Sequence, residues 1–132
     1  MKHEPDASLP PSPLAAMQNT HLLTEEILRL YREPVIGGGY GNMYGEENIQ
    51  NLVKKYRSLN PNDMQLMTEL LVGYSKSNDL ASSYVSVGAL HALGMDSEVA
   101  DAYEWAQNME DANMFRRHFD IGKSIADHFI GH

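Results

Sequence analysis

Histidines at positions 3, 21, 91, 118, 128 and 132 are the side chains best suited to metal or proton chemistry near neutral pH. Their spacing builds neither kind of site. The chain has no H-E-x-x-H and no Glu-x-x-His pattern, so the signatures of zinc proteases and of bundle di-iron centres are absent. His128 and His132 are four residues apart beside Asp127, but they close a terminal helix, where a surface pair is the expected reading. No metal is assigned. His91 and His118 each fall on the apolar side of a predicted helix and read as hydrogen-bonded boundary histidines. The sharper alternative is an enzyme with a His91/His118 pocket in which one imidazole acts as general base. That needs an orienting carboxylate for His118, and Asp120 points elsewhere on the helix. Ser75, Ser82, Ser83 and Ser86 supply hydroxyls without a G-x-S-x-G elbow. No nucleophile, base and orienter can be assembled, so no catalytic residue and no cofactor is assigned.

The stretch GGGYGNMYG at 37–45 invites a phosphate-cradling reading. Three features oppose it. Gly45 is followed by Glu46 and Glu47 rather than by Lys and Ser or Thr. A helix ending at Pro34, not a strand, precedes it. The two glutamates occupy the helix start that an anion would need. The tripeptide GKS at 122–124 lacks the upstream glycine, which is Arg117 here, and lies within a helix. The glycine-rich loop at 36–45 is instead expected to be a connector. Tyr40, Met43 and Tyr44 give it a contact surface or pin it to the bundle.

Asp96, Glu98, Asp101 and Glu104 form an acidic run whose last three members share the solvent face of one helix. Trp105 flanks that face, and a tryptophan beside an acidic stripe is the composition of an interface hot spot for a basic partner. The run is no EF-hand, because the loop glycine and terminal glutamate are missing. Of the eight methionines, Met64 and Met67 are expected in the core, whereas Met43, Met109 and Met114 suit an adaptable surface.

Six amphipathic segments carry these residues. The apolar positions recur at the helical period in segments of about 19–33, 46–59, 62–76, 79–93, 97–109 and 111–130. Pro34 stops the first, NPND at 60–63 caps the third, KSND at 76–79 caps the fourth and Gly94 ends it. The fourth is apolar or small nearly all round, the mark of a central helix, and Gly88 within it marks a close crossing. Residues 70–94 read as a helical hairpin, with no second copy at a period of 34–36 residues. Residues 1–18, rich in Pro and Ser, read as a disordered tail. The expectation is an all-α protein: a compact bundle of five to six helices built from antiparallel hairpins, one domain over 19–132.

Charge narrows the partners. The net charge of −8 is uneven: residues 1–58 hold seven acids against six bases, and residues 59–132 hold eleven against four. No Lys or Arg occurs between Lys76 and Arg116. Such a field repels nucleic acid and anionic membranes and attracts basic proteins. The absence of cysteine fits a reducing cytoplasm, and the N-terminus has no signal-peptide core. The reading is a small acidic helical protein-protein interaction module that binds and modulates a basic protein, of the immunity, antitoxin, chaperone or anti-defence type. Its contact residues are expected to be Tyr40, Met43, Tyr44, Glu98, Asp101, Glu104 and Trp105. Self-association through the Met and Tyr surfaces is a further expectation. Export as an effector, with residues 1–18 as an unfolded leader, is the other alternative.

Overall fold

A computed structural model describes residues 12–38 and 41–130. Six helices account for most of them: α1 (Pro13–Arg32), α2 (Glu46–Arg57), α3 (Pro61–Ser75), α4 (Leu80–Ala92), α5 (Asp96–Ala106) and α6 (Ala112–Ile130). No strand occurs among the described residues. The protein is an all-α bundle.

Local chemistry explains most boundaries. Asn60 caps α3 by accepting from the Asp63 N–H at 2.9 Å, with Pro61 in the first turn. Asp79 caps α4 through the Ser82 N–H and hydroxyl. Gly94, at φ +77°, ends α4: its N–H reaches the His91 carbonyl and that of Met95 reaches Leu90, both at 3.0 Å.

The start of α1 differs from expectation. Residues 13–18, read as tail, are helical, because Ser12 accepts from the Ala15 N–H at 3.2 Å and Pro13 occupies the first turn. A Ser-Pro pair is a helix start as much as a tail signal, since proline's fixed φ suits that turn and its missing N–H has no partner to lose there. Residues 1–11 of the expected tail lie outside the described residues.

The central position of α4 is observed. All residues from Ser83 to Leu90 are buried, and α4 packs on α2, α3, α5 and α6. Its buried serine hydroxyls are satisfied: Ser83 donates to the Ser75 carbonyl at 2.6 Å, and Ser86 pairs with the Tyr31 hydroxyl at 2.5 Å. Around it close the stripes of the other helices, with Ile27, Ile49, Leu52, Met67, Leu71 and Phe119 fully buried. Each such side chain contributes about 1.5–3 kcal/mol of transfer free energy.

The pairs α1/α2 and α5/α6 are antiparallel hairpins. Glu26 meets Lys55 while Leu30 meets Asn48, and Trp105 meets Phe115 while Tyr103 meets Phe119. The largest interface, α4 against α6, is parallel instead: Tyr84 meets His118, Gly88 meets Gly122, and His91 meets Asp127. Two successive antiparallel turns bring α6 back alongside α4 in the same direction. The offset of these contacts is 34–36 residues, so helix stacking follows a repeat period that the sequence itself does not repeat.

Candidate protein-interaction surface

The loop between α1 and α2 is built around two buried asparagines. Asn48, fully buried in the first turn of α2, donates to the Leu30 and Pro34 carbonyls at 2.9 and 3.0 Å. Those carbonyls belong to the end of α1 and the turn after it, which otherwise lack helical partners. Asn42 donates to the Asn48 side-chain oxygen at 3.0 Å and to the Val35 carbonyl at 3.1 Å. Its own side-chain oxygen accepts from the Glu47 N–H at 2.9 Å. It therefore caps α2 from outside, a task that Gly45, the N-cap residue, has no side chain to perform. Gly45 is required for its backbone: φ is +79°, and a Cβ would lie 3.0 Å from Val85 of α4.

This frame disposes of the phosphate cradle. The Glu47 amide is occupied by Asn42, the Glu46 carboxylate accepts from the Tyr44 N–H at 3.1 Å, and both glutamates stand in the first turn. What the loop offers outward is apolar and aromatic: Val35 and Met43 are about two-thirds exposed and Tyr44 is 41% exposed. Tyr40 lies outside the described residues.

The second surface is on α5. Asp101, Glu104 and Trp105 line a shallow groove of about 270 Å³ with Asn108 and Lys76. Trp105 is half-buried, its ring set edge-on to Phe115 at 5.6 Å, so the indole is held rigid at the groove wall. Glu98 is half-buried one turn earlier, accepts from the Ser97 hydroxyl and does not line this groove. The structure thus joins Asp101, Glu104 and Trp105, and leaves Met43 and Tyr44 on a separate surface over α1, α2 and α4. Lys76, at the end of α3, was missed as a groove residue. Its position as the last cation before a long acidic stretch was visible, but not that α3 ends against α5.

His91, His118 and the four serines make contacts within the bundle. His91 pairs with Asp127 at 2.6 Å, tying α4 to α6. His118 shares a 2.8 Å hydrogen bond with the Met114 carbonyl through Nδ1 and rests on the Tyr84 ring at 5.4 Å. Asp120 accepts from the Tyr103 hydroxyl at 2.6 Å, so it does not orient His118. Ser75, Ser82, Ser83 and Ser86 are hydrogen-bonded to helix ends, caps or Tyr31. Among the described residues no three His, Asp or Glu side chains converge as metal ligands, and no helix is long and apolar enough to cross a membrane. His132, the other half of the terminal pair, lies outside them.

Three phenols are held above their ordinary range. Burial dominates for Tyr31, opposed by its Ser86 hydrogen bond. Burial and then the hydrogen bond to Asp120 raise Tyr103. Burial and then the fields of Glu46, Tyr44 and Asp79 raise Tyr84. No protein-family model, curated protein or solved structure matches the chain significantly.

Proposed function

We propose that this protein is a small acidic interaction module that binds and modulates a basic protein partner through the α5 groove, with the α1–α2 loop as a second contact. The observation that carries this reading is the convergence of Trp105, Asp101 and Glu104 on one groove, in a half-chain with eleven acids and four bases. A rigid half-buried indole supplies apolar contact at little entropic cost, and flanking carboxylates steer a basic surface toward it. The exposed Val35, Met43 and Tyr44 supply an adaptable apolar contact on a frame held by Asn42 and Asn48. A cytoplasmic setting and an immunity, antitoxin, chaperone or anti-defence role fit this chemistry.

The test is affinity capture from native lysate with the parent chain and with an Asp101→Asn/Glu104→Gln/Trp105→Ala variant, identifying what the parent alone retains. The expected partner is basic, and its affinity falls between low salt and about 1 M salt as surface charges are screened. Binding that ignores both salt and the triple substitution would sink the proposal.

A further inference from the structure

Asp101, Glu104, Trp105 and Asn108 follow one another at helical spacings of three and four, so they surround one point of the α5 surface. Asn108 keeps this spacing past the end of α5 because its N–H returns to the Trp105 carbonyl at 3.2 Å. Four residues so arranged are the kind of hole into which a single side chain of a docking chain inserts. With Lys76 at the end of α3 they line the groove of about 270 Å³.

The polar groups of this groove are free. Neither the Asp101 nor the Glu104 carboxylate takes part in a hydrogen bond or ion pair among the described residues, and Lys76 pairs with neither of them. Other acids of the bundle are engaged: Glu26 by Lys55, Asp120 by Tyr103 and Asp127 by His91. The indole is fixed, since it packs at 84° to the ring of Phe115, which is 4% exposed. The groove therefore presents a rigid aromatic plane, two carboxylates and the Asn108 amide oxygen, an acceptor.

That lining selects its occupant. Two carboxylates repel phosphate and carboxylate groups. They are too few for a metal ion, because no three His, Asp or Glu side chains converge among the described residues. An ammonium is a compact, strongly hydrated charge with no plane to lay on the indole. A guanidinium has a flat face for the indole and five N–H donors in a fork that matches carboxylates.

We propose that the α5 groove is an arginine receptor: one arginine side chain of the basic partner enters it, pairs with Asp101 and Glu104 and stacks on Trp105. This rests on the partner reading above and names the side chain that the groove recognises. Lys76 is a like charge beside that arginine and holds its affinity down.

The experiment titrates the full chain with Nα-acetyl-arginine amide, Nα-acetyl-lysine amide and Nα-acetyl-citrulline amide at constant ionic strength. Trp105 is the only tryptophan of the chain, so its fluorescence reads this groove directly. Arginine amide is expected to give a saturable change, lysine amide about tenfold weaker binding, and uncharged citrulline amide none. Asp101→Asn and Glu104→Gln are each expected to weaken arginine binding about tenfold, the effect of losing a hydrogen bond between charged groups. Lys76→Gln is expected to tighten it about threefold. Glu69→Gln, on α3 outside the groove, removes the same charge and is expected to bind as the parent does. A parent-like amide spectrum in nuclear magnetic resonance verifies that each variant folds. A change that does not saturate, equal binding of arginine and lysine amides, or binding unaltered in Asp101→Asn and Glu104→Gln overturns the receptor. A basic protein that the parent captures and the triple variant loses, with no arginine amide bound, overturns the receptor and leaves the partner reading standing. Arginine binding lost in both variants, in a chain that captures no basic protein, supports the receptor and overturns the partner reading instead.

Discussion

Gly88 of α4 and Gly122 of α6 face each other across a close helix crossing. A Cβ on Gly122 would stand 2.6 Å from the Tyr84 carbonyl oxygen and 3.5 Å from the Gly88 nitrogen. A Cβ on Gly88 would stand 3.0 Å from the Gly122 carbonyl and 2.7 Å from the Ile49 side chain. Backbone lies against backbone here, so two parallel helices sit close enough to share His91–Asp127 at one end and Tyr84–His118 at the other.

Gly122→Ala is therefore expected to destabilise the protein by about 1–3 kcal/mol, because the obstructing atom is a carbonyl that cannot rotate aside. Gly73→Ala is the contrast. Gly73 lies in α3 with open space where a Cβ would stand, so alanine is expected to stabilise by about 0.5–1 kcal/mol through helix propensity. Urea denaturation midpoints check both signs.

Asn48→Ala removes a side chain that bonds two carbonyls and Asn42 at once. A loss of about 1–3 kcal/mol is expected for leaving such buried groups unpaired. Asn42→Ala is expected to free the Glu47 amide, whose hydrogen exchange should accelerate while that of Met67 in the core stays at the parent rate when exchange is local.

Alkaline pH should weaken the fold. A folded phenol raised above its unfolded value, about 10, retains its proton where the unfolded chain loses it. The corresponding stability is fully present below pH 10 and disappears as pH rises through the folded value. Tyr31, Tyr84 and Tyr103 are expected to titrate above the ordinary phenol value in an ultraviolet absorbance titration. Tyr31→Phe should lower neutral-pH stability by about 1 kcal/mol, through the lost Ser86 bond, and flatten the alkaline decline.

Lys76 places one positive charge in a groove with Asp101 and Glu104. Lys76→Gln should speed association with a basic partner, and Asp101→Asn with Glu104→Gln should slow it, both differences shrinking as salt screens the field. Stopped-flow association rates at two ionic strengths read this directly.

The helices, their stripes and several caps were legible because their causes are local. Asn60, Asp79 and Gly94 act within one or two turns of chain, and the all-round apolar α4 could only be central. Gly88 was readable as a crossing. Its partner Gly122 was not, since an apolar stripe states which face is buried but not against what. The candidate site divided in the same way. Trp105, Asp101 and Glu104 meet because helical spacing alone puts them on one side of α5. Lys76 joins them only through the docking of α3, and the loop residues stand apart.

An acidic all-helical chain of five to six helices and the apolar face of each follow from the order of residues, because periodicity and capping act over a few positions; Met64, expected in the core, is only half-buried. Three relations exist only in the folded chain: α4 and α6 run parallel, Asn42 and Asn48 hold the glycine loop, and Lys76 joins Trp105 in the α5 groove. The last two join residues as near as Asn42 and Asn48, 6 positions apart, and as far as Lys76 and Trp105, 29 positions apart. They follow from which volumes fit together in three dimensions, and no local pattern encodes that.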